Sequence, residues 1–256
     1  MIDLTPGAIL ALGFTLGAGH ALEPDHVAAV GTLVSEQRRL AVSCLLGACW
    51  GVGHTLALLA AGVAVLVFRV AMPPGLERGL DMSVALLSIG LGLRALFRLA
   101  ARVSLHRHPH SHGGGGAHSH YHLHLRHLHL RHLHLPDLHF RRDAHEGIEH
   151  VHLAAVGGRP VLIGLVHGLA GSAALMLGAI GAIGSPALGL AYLLAFGAGA
   201  TVGMLALSGL IGLPFAGIAA AGLAAPRAEI ALAGLRALAA LASLAVGIVL
   251  AARLGA

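Results

Sequence analysis

The stretch "HALEPDH", residues 20 to 26, sets two imidazoles and two carboxylates within seven positions. Imidazole nitrogens and carboxylate oxygens are donors for a divalent transition metal, and imidazole is the commonest ligand of that class. "GVGHT" at 51–55 adds His54, and "GLVHGLAGSAAL" at 164–175 adds His167 and Ser172. All of these lie in apolar surroundings: "ILALGFTLGAG" precedes the first group and "VAAVGTLV" follows it. An ionisable group at membrane depth is costly and by default marks an ion or substrate path. A histidine hydrogen-bonded between helices would account for any one of them. It accounts poorly for four, with Glu23 and Asp25 beside them.

Composition sets the elements that must position these groups. With 57% hydrophobic residues, 11% charged and a mean hydropathy of +0.84, the chain is an integral membrane protein rather than a soluble domain. The start "MIDLTPGAIL" carries an acid where a secretory signal needs positive charge, so the first apolar segment is expected to be retained. Apolar runs of about 20 residues or more predict six membrane spans. They fall at 7–33, 41–68, 80–101, 160–182, 186–212 and 228–252. The fold class is therefore all-α integral membrane, with 37 glycines suited to closely packed helices. Cys44 and Cys49 share the second span and point apart, which argues against a disulfide.

Sixteen basic residues, all arginine, stand against eleven acids. That excess would read as a nucleic-acid signal only if its location were ignored. Arg38, Arg39, Arg98, Arg102, Arg107, Arg126, Arg131, Arg141, Arg142, Arg159 and Arg227 gather on one side of a six-span chain, against Arg69, Arg78 and Arg253 on the other. The positive-inside rule then places both termini outside and the long third loop in the cytoplasm.

The first group demands a broken helix. At about 100° per residue, His20 and His26 on one continuous helix lie about 120° apart and do not converge. Pro24 removes an N–H and clashes with the preceding turn, and Gly17 and Gly19 loosen it further. Unwound backbone in lipid survives only where protein or a watery cavity satisfies it, as at the ion sites of discontinuous transporter helices. A cation site at the break follows. Gly51 and Gly53 permit close approach of the second span, and His54 with Thr55 is expected to project toward the first.

A weak internal repeat fits such an architecture. "HALEPD" at 20 aligns with "HGLAGS" at 167, and "GVGHTLALLAAG" resembles "GATVGMLALSGL" at 199. Two three-helix halves, 1–101 and 159–256, would then be inverted, because three crossings reverse the direction of the second half. Between them, 102–158 holds sixteen of the twenty histidines. His106, His108, His110, His112, His118, His120, His122, His124, His127, His129, His132 and His134 alternate with Leu or flank Arg. The bland reading is a low-complexity linker. The sharper one is a metal buffer whose closely spaced rings exchange an ion without one rigid geometry, on a strand or an irregular segment.

His20, Asp25 and His26, spaced as H-x4-D-H, resemble the signature of the nickel/cobalt transporter family, and "GVGHT" resembles that family's Gly-His-Ser/Thr motif. "HALEPDHVAAVGTL" with "GLVHGLAGSAAL" is similar to its six-helix urease-accessory branch. The resemblance implies a transporter, not an enzyme, carrying Ni²⁺ first and Co²⁺ second as substrate, with no prosthetic group. It carries over His20, Asp25, His26 and His54 as metal-site candidates. Glu23, His167 and Ser172 are further candidates for site or path. The acid-bearing motif that larger family members place on a later helix is absent here. Uptake is expected, and because the His-rich loop resembles the exporting members, export for metal resistance is the alternative. The implied partners are a divalent metal ion, the bilayer of the plasma (inner) membrane, and a cytoplasmic metallochaperone receiving the metal. A protease reading lacks both a Gly-x-Ser-Gly elbow and His-Glu-x-x-His. A metal store without transport leaves the buried acids unexplained.

Overall fold

The computed structural model describes residues 5–68, 73–110, 118–125, 153–169, 185–221 and 225–255. Among these, seven helices occur: α1 (Pro6–His20), α2 (Pro24–Val34), α3 (Leu40–Phe68), α4 (Pro74–Arg102), α5 (Leu153–Gly168), α6 (Pro186–Ala220) and α7 (Ala225–Gly255). Four, α3, α4, α6 and α7, are long and apolar enough to cross a membrane. Large apolar side chains such as Phe97, Leu210 and Leu238 stand exposed on them, as a lipid-facing surface requires. The chain is a multi-pass membrane protein.

The expected first span is two helices. α1 ends at His20 and α2 starts with Pro24 at its first turn, where a missing N–H costs nothing. Glu23, the residue before proline, is extended at φ −62° and ψ 145°. The amides of Leu22 and Glu23 fold back onto the Gly19 and His20 carbonyls at 2.9 and 3.0 Å, satisfying the end of α1. The expected fourth span begins earlier than read, at Leu153, and its remainder from 170 lies outside the described residues.

Between α4 and α5, two strands follow α4: β1 (Val103–His110) and β2 (His118–Leu125) pair antiparallel. Their register sets His106 opposite His122, His108 opposite His120 and His110 opposite His118. This part of the segment is therefore a ladder. His112, His127, His129, His132 and His134 lie outside the described residues.

Close backbone crossings build the bundle, and they recur. A Cβ on Gly17 of α1 would strike the Phe196 carbonyl of α6, and one on Gly199 of α6 would strike the Phe14 carbonyl of α1. Likewise Gly53 of α3 abuts Val161 of α5, and Gly164 of α5 abuts Trp50 of α3. The second crossing copies the first with helices exchanged: 14 and 17 match 161 and 164 at an offset of 147, and 50 and 53 match 196 and 199 at 146. α4 and α7 behave alike, since Gly92 meets the Ala240 carbonyl and Gly247 the Ala85 carbonyl, at an offset of 155. The match of "GVGHT" is thus "GAGAT" at 197–201, two residues before the alignment read from sequence. At the centre of the α3–α6 contact the mates Thr55 and Thr201 share a hydrogen bond of 3.1 Å between hydroxyls.

One end of the bundle gathers the start of α1, the start of α4 and the end of α7; we call it the terminal end. The other gathers the ends of α2 and α4 and the starts of α3 and α7, and carries the loop.

Candidate metal centre

The break between α1 and α2 delivers His20 and His26 to one place, which an unbroken helix could not. Their ring centroids are 4.5 Å apart. His54, from the middle of α3, joins at 5.1 Å from His20 and 5.3 Å from His26. His167, at the end of α5, completes the cluster 4.3 Å from His26. All four are buried, with His26, His54 and His167 no more than 2% exposed.

The carboxylates set which ring nitrogens remain free. The His26 Nδ1 and Asp25 Oδ1 lie 3.1 Å apart, and the His167 Nε2 and Asp25 Oδ2 lie 2.9 Å apart. His20 Nδ1 sits 2.8 Å from Glu23 Oε1. A carboxylate only accepts, so each ring donates its N–H there and keeps a lone pair on its other nitrogen. Those other nitrogens, Nε2 of His20 and His26 and Nδ1 of His167, are buried without a hydrogen-bond partner, as are both nitrogens of His54. Buried polar atoms are ordinarily paired, so these unpartnered nitrogens are candidate metal donors. Two overlapping triads have donor atoms within 4.8 Å of one another: His20, His26, His54 and Asp25, His26, His167.

Asp25 also accepts the His26 backbone amide at 2.9 Å in the first turn of α2, where the helix dipole favours negative charge. Glu23 is half exposed and reaches a cavity of about 450 Å³ that borders His20, Asp25, His26 and His167 and extends toward Asp81 of α4 and Arg253 of α7. Ser172 lies outside the described residues. Thr55 does not project toward the first span. It donates to the Gly51 and Gly197 carbonyls of α3 and α6, because successive helical residues point about 100° apart and His54 takes the inward direction.

Sequence reasoning missed two aromatics. Trp50, fully buried, packs 5.5 Å from His167 and 6.4 Å from His26, and Phe196 lies 5.5 Å from His20. Trp50 was findable, since it precedes His54 by four residues and so shares its helix face. Phe196 carried no such signal. Cys44 and Cys49 are free thiols.

Fold and site together define a polytopic helical membrane protein with a buried histidine–carboxylate cluster at a helix break. The chain is 34% identical over 203 residues to urease accessory protein UreH of Bacillus sp. (strain TB-90), covering 77% of this chain and 72% of that one. It belongs to the nickel/cobalt transporter family, in the urease-accessory branch, and so stands with transport and accessory proteins rather than enzymes. No family model and no solved structure matches it.

Proposed function

We propose that the chain carries a divalent transition metal, Ni²⁺ before Co²⁺, across the plasma membrane by way of the cluster at the α1–α2 break. The observation that carries this reading is the set of buried, unpartnered imidazole nitrogens on rings held by Asp25 and Glu23. His20, His26 and His54 are the donors in this reading. Asp25 orients His26 and His167 and supplies the charge that offsets a dication in low dielectric. Borderline nitrogen donors suit Ni²⁺ and Co²⁺, and would suit Cu²⁺ or Zn²⁺ as well.

Six spans carry the site, supplied by α1 with α2, α3, α4, α5, α6 and α7. Halves 1–101 and 159–256 are inverted copies around the loop 102–158, a reading supported by the reciprocal glycine crossings. Both termini face outward and the loop faces the cytoplasm. Uptake is the direction favoured and export the alternative; the likeness to a urease accessory protein supports the first. The loop histidines concentrate metal on the cytoplasmic side, and a metallochaperone there receives it.

Nickel and cobalt accumulation, measured in cells with and without the chain, tests the reading. Accumulation that depends on the chain and vanishes in His26→Ala supports it. Depletion below the control would make the protein an exporter, and vesicles that bind nickel without passing it would make it a store. A cysteine at Ser111 that reacts with an impermeant reagent from outside would reverse the orientation.

A further inference from the structure

The two ends of the bundle are built from matched residues but are not in the same state. By the offset of 155 that relates α4 to α7, Asp81 matches Arg236, Leu250 matches Ala95 and Arg253 matches Arg98. Asp81, Leu250 and Arg253 border the cavity of about 450 Å³ that reaches the histidines. Among the described residues, their mates border two small cavities of about 40 and 10 Å³ at the loop end. Among the described residues, the same pair of helices borders a large cavity at one end and small ones at the other.

Ionic contacts hold the closed end. Glu36, just past α2, pairs with Arg98 of α4 at 2.5 Å, and the Arg236 Nε of α7 donates to the Ser35 carbonyl at 3.1 Å. Arg38 pairs with Glu229 at the start of α7 at 3.0 Å. All three contacts fasten the residues after α2 to α4 and α7. α2 itself begins at the site, with Asp25 and His26 in its first turn, so these contacts fix the far end of the helix that carries two site residues.

We propose that Glu36–Arg98, Arg38–Glu229 and Arg236 on the Ser35 carbonyl form a latch. Its release lets α2 tilt, opens the loop-end cavity and closes the terminal one. Inverted halves supply the second state by exchanging conformations about the shared site, and packed helix interfaces have discrete alternatives rather than a continuum. This rests on the transporter reading, but its test does not need metal to move.

The test uses the full chain in lipid nanodiscs, with Cys44 and Cys49 replaced by serine and one reporter cysteine, Ala95→Cys at the loop end or its mate Leu250→Cys at the terminal end. A charged methanethiosulfonate reagent reports the rate of modification at each. Combined Glu36→Ala and Arg38→Ala are expected to speed the Ala95→Cys reaction about tenfold and to slow that of Leu250→Cys by a similar factor. Exchanging the charges, Glu36→Arg with Arg98→Glu, restores the parent rates. Unchanged rates at both reporters overturn the latch, and so does acceleration at both, which would mean general loosening. Nickel flux through vesicles of the parent chain is read separately. Its absence would sink the transporter reading while leaving the labelling result standing.

Discussion

The first and second halves pack alike and are chemically unlike. Gly17 and Gly53 of one half have mates in Gly164 and Gly199 of the other, each set against a partner carbonyl. His20 has His167 as its mate at the same offset of 147, yet His54 is matched by Ala200. Close packing in lipid depends on backbone approach, which glycine supplies wherever it occurs. A metal needs donors at one point only. In the transporter reading, matched glycine crossings with unmatched donors mean that either property can be damaged without the other.

The largest effects should come from the shared scaffold. Gly17→Leu and Gly199→Leu each force a side chain into a carbonyl of the facing helix, and both are expected to abolish recovery of monodisperse protein in detergent. Normal behaviour of only one of them would show that the two crossings are not energetically equivalent. Donor removal should leave folding intact. His26→Ala and His54→Ala are expected to lower nickel uptake by about a hundredfold or more at parental expression, while His167→Ala, the mate-side contribution, costs less. Equal loss from all three would mean that the second half supplies donors on a par with the first.

Asp25→Asn keeps the shape of the side chain but removes its charge and one of its two acceptors, so His26 and His167 lose their common anchor. A fall of roughly 10–100-fold in apparent nickel affinity is expected, the range for groups that orient ligands; isothermal titration of the purified variant measures it. Glu23→Gln should do less, because that side chain is half exposed. At the contact between mates, Thr201→Val should destabilise by about 1 kcal/mol, the scale of one hydrogen bond between membrane helices. Thermal unfolding in detergent checks it, and no change would mean that the bond contributes nothing net. The smallest effect belongs to the loop: deleting 106–139 should shift apparent affinity a few-fold with flux retained, and complete loss of flux would make the loop part of the path.

Much of the site was legible in the order of residues. A proline four residues after His20 in an apolar span forbids a continuous helix, and the break appears where it was expected. His167 could be named as a candidate but not placed, since 142 residues separate it from Asp25, which it contacts. Thr55 differs from the reading because adjacent helical residues point about 100° apart, so His54 turns to the cluster while Thr55 turns to α6. The repeat was aligned two residues late, because short runs of Gly, Ala and Leu match one another in several registers.

The sequence by itself determined the medium, the long apolar helices, the break at Pro24 and the types of donor, because each follows from local composition or from backbone sterics within a few residues. Only the tertiary structure decided which nitrogen of His20, His26 and His167 stays unpartnered, since that depends on where the carboxylates of Asp25 and Glu23 reach. It also decided that, among the described residues, the large cavity lies at the terminal end and small ones lie between the ion-paired helices at the loop end. Ion pairs such as Arg38 with Glu229 join residues far apart in the chain, and no local rule links them.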